Sequence, residues 1–324
     1  MRRRGRVGLA VIVGAVLAAG WASAGAATAA GSPARWSAPS KVPGIGMLRA
    51  VSCATPDFCM AVGGRQAVVY RSGSWRRPWT IDRHGSLNLG LLTVSCVATS
   101  FCAAGDGAGR VFLYDGTRWS APRLVAGAGL AQLSCATRSF CGALDIRGEV
   151  AFYDGHSWSS PRRLAPASQP SLISCPLAGF CLALDFTQAY RLSGRSWLAA
   201  GSINPSPPPE GSEPDVASAL SCPGRRFCAS LDDFGDAFTW TGGRWSRAHR
   251  FDPTLLAGTD AVSCATRTSC QAVDGNGYES RWNGRRWSPR RRIDPAAALL
   301  AAVSCPTAHF CLAVDFRGRA LIYR

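Results

Sequence analysis

The stretch Leu133-Ser134-Cys135-Ala136-Thr137-Arg138-Ser139-Phe140-Cys141-Gly142-Ala143-Leu144-Asp145, followed by Gly148, Tyr153-Asp154-Gly155 and Trp158-Ser159-Ser160-Pro161, recurs with variations along the chain. Its clearest mark is a cysteine with another six residues later. Seven such pairs occur: Cys53 and Cys59, Cys96 and Cys102, Cys135 and Cys141, Cys175 and Cys181, Cys222 and Cys228, Cys264 and Cys270, and Cys305 and Cys311. They use all 14 cysteines. Their first members lie 43, 39, 40, 47, 42 and 41 residues apart, so a unit of 42 residues on average is repeated seven times. A period of that length is the signature of a repeat architecture.

Each unit is a series of short β-favouring runs separated by turn residues, four runs to a unit. Cys-x5-Cys sets the two sulfurs on facing strands across a short loop, within the few ångströms a disulfide requires, so one disulfide per unit is expected between its first two strands. Zinc is the weaker alternative. A structural zinc site takes four ligands, commonly from closer cysteine pairs with partner Cys or His, and the histidines, His84, His156, His249 and His309, do not follow the repeat. The second strand turns into the third through Asp-x-x-Gly in five units: Asp106 to Gly109, Asp145 to Gly148, Asp232 to Gly235, Asp274 to Gly277 and Asp315 to Gly318. Asp at the first and Gly at the fourth position suit a type I turn whose carboxylate accepts local backbone N–H bonds. The third strand ends in an aromatic residue in five units, and Trp follows five residues later: Tyr70 and Trp75, Tyr114 and Trp119, Tyr153 and Trp158, Trp240 and Trp245, Trp282 and Trp287. Gly marks the hairpin between them.

Such a meander repeated seven times is the sequence form of an all-β, seven-bladed β-propeller with four-stranded blades. The seventh unit stops at Leu321-Ile322-Tyr323-Arg324 without a fourth strand, whereas Arg35-Trp36-Ser37-Ala38-Pro39 stands alone before the first cysteine pair and repeats Arg118-Trp119-Ser120-Ala121-Pro122. The N-terminal strand is therefore expected to complete the last blade and close the ring, leaving no bare blade edge. Residues 35–324 resemble the secreted repeat proteins of actinobacteria whose units read Ser-Cys-x4-Phe-Cys-x-Ala-x-Asp, then Gly, then Tyr-x-Gly-x-x-Trp-Ser. That resemblance implies a seven-bladed propeller and no established activity. A fainter likeness to the Asp-box of sialidase-type propellers, in Tyr114-Asp115-Gly116 and Tyr153-Asp154-Gly155, carries no active site over, because Asp and Gly are adjacent here and five blades lack that Asp.

The chain opens with Arg2-Arg3-Arg4-Gly5-Arg6, an apolar run from Val7 to about Ala19 and small residues to about Ala30, the order of a secretory signal peptide. Residues 1–30 are read as that signal and residues 31–324 as the propeller. An uncut anchor is the alternative, since Val7 to Ala30 is uncharged and approaches the ~20 residues a spanning helix needs. Export agrees with the cysteines, because disulfides persist in oxidising compartments. The expectation is a secreted, extracellular monomer with no membrane span after cleavage. The net charge is +16; removing residues 1–30 takes four arginines and no acid, leaving 32 basic against 20 acidic residues, or +12. Lys41 is the sole lysine, and an arginine bias of this kind also follows from GC-rich coding.

Asp recurs four residues after the second cysteine in six units, Asp106, Asp145, Asp185, Asp232, Asp274 and Asp315, with Gly63 in the first. These turns share a face with the interblade linkers, so the carboxylates are candidate ligands for a cation or sugar hydroxyls; the competing reading is that each caps its own turn. The recurrent Trp and Tyr residues would stack on sugars or pack between blades. Arg285, Arg286, Arg290, Arg291 and Arg292 form the densest charge cluster, a candidate polyanion contact or a solvated edge that prevents strand pairing. The longest linker, Ser202 to Asp215, is Pro-rich and departs from the repeat on the same face as the aspartates; it is a passive loop or the place where specificity resides. For catalysis the chain offers Glu149, Glu210, Glu213 and Glu279 and one acidic doublet, Asp232-Asp233, with no Ser-His-Asp set or Gly-x-Ser-x-Gly elbow. No catalytic residue, metal ligand or cofactor is assigned. The expected function is extracellular recognition of a glycan or protein, with an anionic cell-surface polymer as a further partner; export and the lack of a recognised module argue against nucleic acid. The alternative is a carbohydrate-active enzyme, of glycosidase or lyase type, with its carboxylates dispersed over the blades.

Overall fold

A computed structural model describes residues 35–83, 89–165, 170–203, 216–233, 235–250, 261–296 and 299–324. The signal-peptide reading and residues 204–215 of the Pro-rich linker lie outside these residues. Seven antiparallel sheets follow one another in chain order, one per cysteine repeat. Blade 3 is typical: Leu130–Thr137, Phe140–Asp145, Glu149–Tyr153 and Arg162–Arg163 pair in that order. The first strands lie innermost, and each packs against its neighbours on both sides around the full circle, from Ala50–Thr55 through Leu300–Thr307 and back.

The ring closes in blade 7 with the N-terminal segment. Ser40–Lys41 pairs with the third strand, Arg319–Tyr323, and Trp36 bridges Tyr323. Backbone bonds from Arg35 N to Arg324 O (2.7 Å), Ser37 N to Ile322 O (2.7 Å) and Val42 N to Gly318 O (2.9 Å) run along this junction. All seven cysteine pairs are disulfides within their own blades, as the spacing predicts. Cys53 is bonded to Cys59, Cys96 to Cys102, Cys135 to Cys141 and Cys175 to Cys181. Cys222 is bonded to Cys228, Cys264 to Cys270 and Cys305 to Cys311. Their Cα–Cα separations are 3.9–4.1 Å, and no cysteine is free. Each closes a short loop worth about 2 kcal/mol on the chain-entropy account.

The hydrophobic core lies between blades. Phe58, Met60, Val62 and Val69 of blade 1 meet Val94, Ala104, Phe112 and Tyr114 of blade 2, and equivalent clusters fill the other junctions. The serine before each first cysteine adds a polar link. Its hydroxyl accepts the backbone N–H of the next blade's first cysteine: Ser52 from Cys96, Ser95 from Cys135, Ser134 from Cys175, Ser174 from Cys222, Ser221 from Cys264, Ser263 from Cys305 and Ser304 from Cys53, at 2.8–3.1 Å. The Ser-Cys dipeptide therefore joins sheets as well as strands.

The fourth strands are less regular than four even runs would suggest. In blade 2, Trp119 bridges Tyr114, then Ser120 Oγ accepts the Leu113 N–H (3.0 Å), and ladder pairing resumes only at Arg123–Leu124. Proline at Pro122 cannot donate to the ladder, so the edge strand breaks there and the serine hydroxyl supplies an acceptor. Ser37, Ser159, Ser246 and Ser288 do the same in four other blades.

Candidate functional site

The alternation of strand directions puts the second-to-third turns and the interblade linkers on one face, here the linker face. The first-to-second and third-to-fourth hairpins lie on the opposite, hairpin face. All six recurrent aspartates sit on the linker face, and all are buried, between 0 and 9 % exposed. Asp106 Oδ1 accepts the N–H groups of Ala108 and Arg110 (both 2.9 Å); Asp145, Asp274 and Asp315 likewise accept from the residues two and four further on, and Asp232 accepts from Asp236. Gly109, Gly148, Gly277 and Gly318 complete these turns with an N–H to the Asp carbonyl. The glycine is needed twice over: at Gly277 φ is +85° and a Cβ would lie 2.4 Å from Asp294 O of the linker folded across it. Five of these carboxylates, all but Asp185, accept backbone N–H groups of their own turns.

At two junctions the turn carboxylate also binds the neighbouring blade's linker. Arg110 donates to Asp106 Oδ2 (Nε, 2.7 Å) and, through Nη2, to Asp82 at 3.0 Å; Arg319 joins Asp315 (2.6 Å) and Asp294 in the same way. Both linker aspartates are buried. Burial works against the Arg110 cation, but hydrogen bonds and charge from Asp106 and Asp82 outweigh it and raise its pKa. In blade 3 the corresponding position is Glu149, and Asp145 Oδ2 is left buried without a hydrogen-bond partner among the described residues.

Beside exposed polar side chains such as Arg83, Arg147, Gln188 and Arg317, the linker face also leaves large apolar side chains to solvent. Of the seven large hydrophobic side chains that are exposed among the described residues, four lie here: Leu89 (47 %), Ile146 (63 %), Phe186 (52 %) and Leu299 (53 %). Each is next to the entry of an innermost strand, through the bonds Gly107 N to Leu89 O, Ile146 N to Gly129 O, Ala217 N to Phe186 O and Phe316 N to Leu299 O. They make an apolar collar at the inner-strand entries of blades 2, 3, 5 and 7. Ile146 and Phe186 occupy the turn position directly after the buried Asp, a placement visible in the sequence once the turn is assigned. Ile203, the last described residue before the 204–215 linker, is buried.

The structure divides the arginine run. Arg291 donates to Glu279 Oε1 (2.9 Å), Arg290 stacks 4.3 Å above the Tyr278 ring, and Arg292 donates to Pro295 O (2.8 Å), so these three pack on the outer edge of blade 6. Glu279 is itself buried and also accepts from Arg281 and from the indole N–H of Trp36 (3.0 Å), which ties the closing strand to blade 6. Arg285 and Arg286 instead lie exposed on the hairpin face, their backbone N–H groups capped by Asn283 Oδ1. On the same face Asp115 and Asp154 hold their hairpins as acceptors of two backbone N–H bonds each, which depresses both carboxyl pKa values below the ordinary range. Two grooves open beside these hairpins. One, of about 720 Å³, lies between blades 2 and 3 and includes Trp119 and Tyr153; the other, of about 840 Å³, lies between blades 3 and 4 and includes Phe152 and Trp197. Among the described residues no group of three or more His, Cys, Asp or Glu side chains is arranged to hold a metal, and no helix is long and apolar enough to cross a membrane.

No protein-family profile matches the chain, and no curated protein sequence matches it. Solved structures do. YCF48 bound to D1 peptide superposes with a TM-score of 0.68 at 11 % identity, covering 89 % of this chain and 96 % of that one. A streptogramin B lyase gives 0.71 at 7 % identity (90 % and 97 % covered), and the WD40 repeats of RRP9 give 0.68 at 10 % identity (89 % and 99 % covered). At these identities the likeness establishes the propeller fold and nothing further.

Proposed function

We propose that the protein is a secreted, non-enzymatic recognition module that receives a protein segment bearing apolar side chains at its linker face. The observation that carries this reading is the apolar collar of Leu89, Ile146, Phe186 and Leu299, set in a face whose recurrent carboxylates are all buried. A dispersed glycosidase site calls for carboxylates presented to solvent, whereas the recurrent ones here are buried; exposed apolar side chains on one face suit protein contact. Fold likeness does not choose between binding and catalysis, since neighbours of this fold include a peptide-bound protein and a lyase. Seven disulfides support an extracellular location.

The test is a peptide-display selection on the oxidised protein, run in parallel with a glycan array and a polysaccharide product assay. Selected peptides should carry apolar anchors and lose at least tenfold in affinity against a triple variant, Ile146→Asp with Phe186→Asp and Leu299→Asp. The pair Leu124→Asp and Leu198→Asp, exposed elsewhere, should leave binding unchanged. Saturable glycan binding indifferent to the collar variant, or product release, would overturn the reading.

A further inference from the structure

The hairpin face is strongly basic. Every hairpin of the hairpin face lies within the described residues. The residues between paired cysteines, together with those between each fourth-strand tryptophan and the third-strand residue it pairs with, include twelve arginines against three acids, Asp57, Asp115 and Asp154. The imbalance is greatest on blades 5 and 6. Arg225 and Arg226 occupy the first hairpin of blade 5 and Arg244 its second; Arg267 occupies the first hairpin of blade 6, and Arg285 and Arg286 its second. All six are exposed, and these four hairpins contain no acidic residue.

From this we infer that the hairpin face of blades 5 and 6 is a binding site for a linear phosphodiester or polyphosphate chain, independent of the linker face. Six guanidinium groups on adjacent hairpin tips create a field that no neighbouring carboxylate on these hairpins offsets. Each presents a planar fork of donors matched to phosphate oxygens. The other exposed residues of these hairpins are small or polar: Thr241, Gly242, Gly243, Thr266, Thr268 and Asn283. None of the exposed large hydrophobic side chains lies on these hairpins. A folded acidic protein would need an apolar interface centre that is missing here, whereas a flexible polyanion needs only the charges. The patch also separates Arg285 and Arg286 from Arg290, Arg291 and Arg292, which are engaged with Tyr278, Glu279 and Pro295.

Long-chain inorganic polyphosphate serves as the probe, titrated into the oxidised full-length mature protein at rising NaCl concentration. If six contacts each release a counterion, doubling the salt from about 0.1 to 0.2 M weakens binding about 20- to 40-fold. A quadruple variant, Arg225→Ser with Arg226→Ser, Arg285→Ser and Arg286→Ser, should lose at least tenfold more affinity than its control. The control, Arg76→Ser with Arg77→Ser, Arg123→Ser and Arg162→Ser, removes the same charge from exposed positions elsewhere. Both variants alter only exposed side chains, and an unchanged melting temperature and disulfide map confirm that each is folded. Equal losses in the two variants would reduce the binding to net-charge attraction and overturn the site, as would salt-insensitive binding or preference for a folded acidic protein over polyphosphate.

Discussion

At the scale of single residues, the repeat positions have distinct physical duties. The serine of Ser-Cys acts across blades, since its hydroxyl is the acceptor for a backbone N–H in the next sheet. Ser134→Ala leaves the N–H of the buried Cys175 without its 2.8 Å partner, which costs about 1–2 kcal/mol. Urea denaturation of the oxidised protein should show this as a lower midpoint with an unchanged slope; an unshifted midpoint would mean that the bond is energetically idle. The hairpin aspartates make a prediction in pH. Asp115 and Asp154 have folded-state pKa values lowered by backbone N–H bonds, from Arg118 and Thr117 in the first case and from Ser157 and His156 in the second. A lowered carboxyl pKa stabilises the fold above the ordinary Asp value of about 3.9, and that contribution is lost as pH falls through the folded value. The carboxyl carbon resonances of these two residues should therefore titrate below about pH 3.9, and titration at the ordinary value would show the hairpin bonds to be absent in solution. Both groups are exposed, so the hairpins loosen in acid while the ring persists.

At the scale of elements, the closing strand differs from the other six fourth strands because no hairpin joins it to its blade. Extra ties compensate. Trp36 donates its indole N–H to the buried Glu279 of blade 6, whereas the buried indole nitrogens of Trp119 and Trp245 have no hydrogen-bond partner among the described residues. Trp36 also packs on Tyr323 at 5.7 Å, and Arg281 bonds the Tyr323 hydroxyl from the neighbouring blade. Deleting residues 31–40 removes the tryptophan and most of the strand pairing, and strips one partner from a buried carboxylate. Loss of a large aromatic contact alone costs about 3–5 kcal/mol, so the melting temperature should fall by about 10 °C or more. Removing residues 31–34 alone is the control, and equal melting temperatures for the two truncations would show that the N-terminal strand does not hold the ring.

At the scale of the whole molecule, a seven-fold frame carries two faces that have escaped its symmetry, and this explains what could be read in the sequence. The frame was legible because covalent and conformational constraints recur at fixed spacing: Cys-x5-Cys, Asp-x-x-Gly and the tryptophan five residues after an aromatic each demand one local geometry. The spare Arg35–Pro39 segment was legible for the same reason, as a repeat element out of place. Asp82 and Asp294 were not, because they meet Arg110 and Arg319 from 28 and 25 residues away, in pairings that do not follow the repeat spacing. Of the arginine patch only Arg285 and Arg286 were legible, because its members lie on four hairpins brought together only by the stacking of blades 5 and 6. The closed ring yields one more prediction. Arg35 and Arg324 exchange two backbone hydrogen bonds, the arrangement that Arg71 and Ser74 have around the two-residue turn of blade 1. In that turn Ser72 and Gly73 both have positive φ, +48° and +85°, as a type I′ hairpin requires. A Ser-Gly link between Arg324 and Arg35 would thus recreate Tyr-Arg-Ser-Gly-x-Trp at the closing blade without moving either strand. A circular permutant built with that link and opened between Gly155 and His156 transfers the break from blade 7 to blade 3, where Tyr153 and Trp158 already form the equivalent bridge. It should form the same seven disulfides and melt within about 5 °C of the parent. If the ring were held by directional folding from the N-terminal strand rather than by the equivalence of its blades, the permutant would scramble its cysteines or fail to fold, and peptide mapping without reduction distinguishes these outcomes.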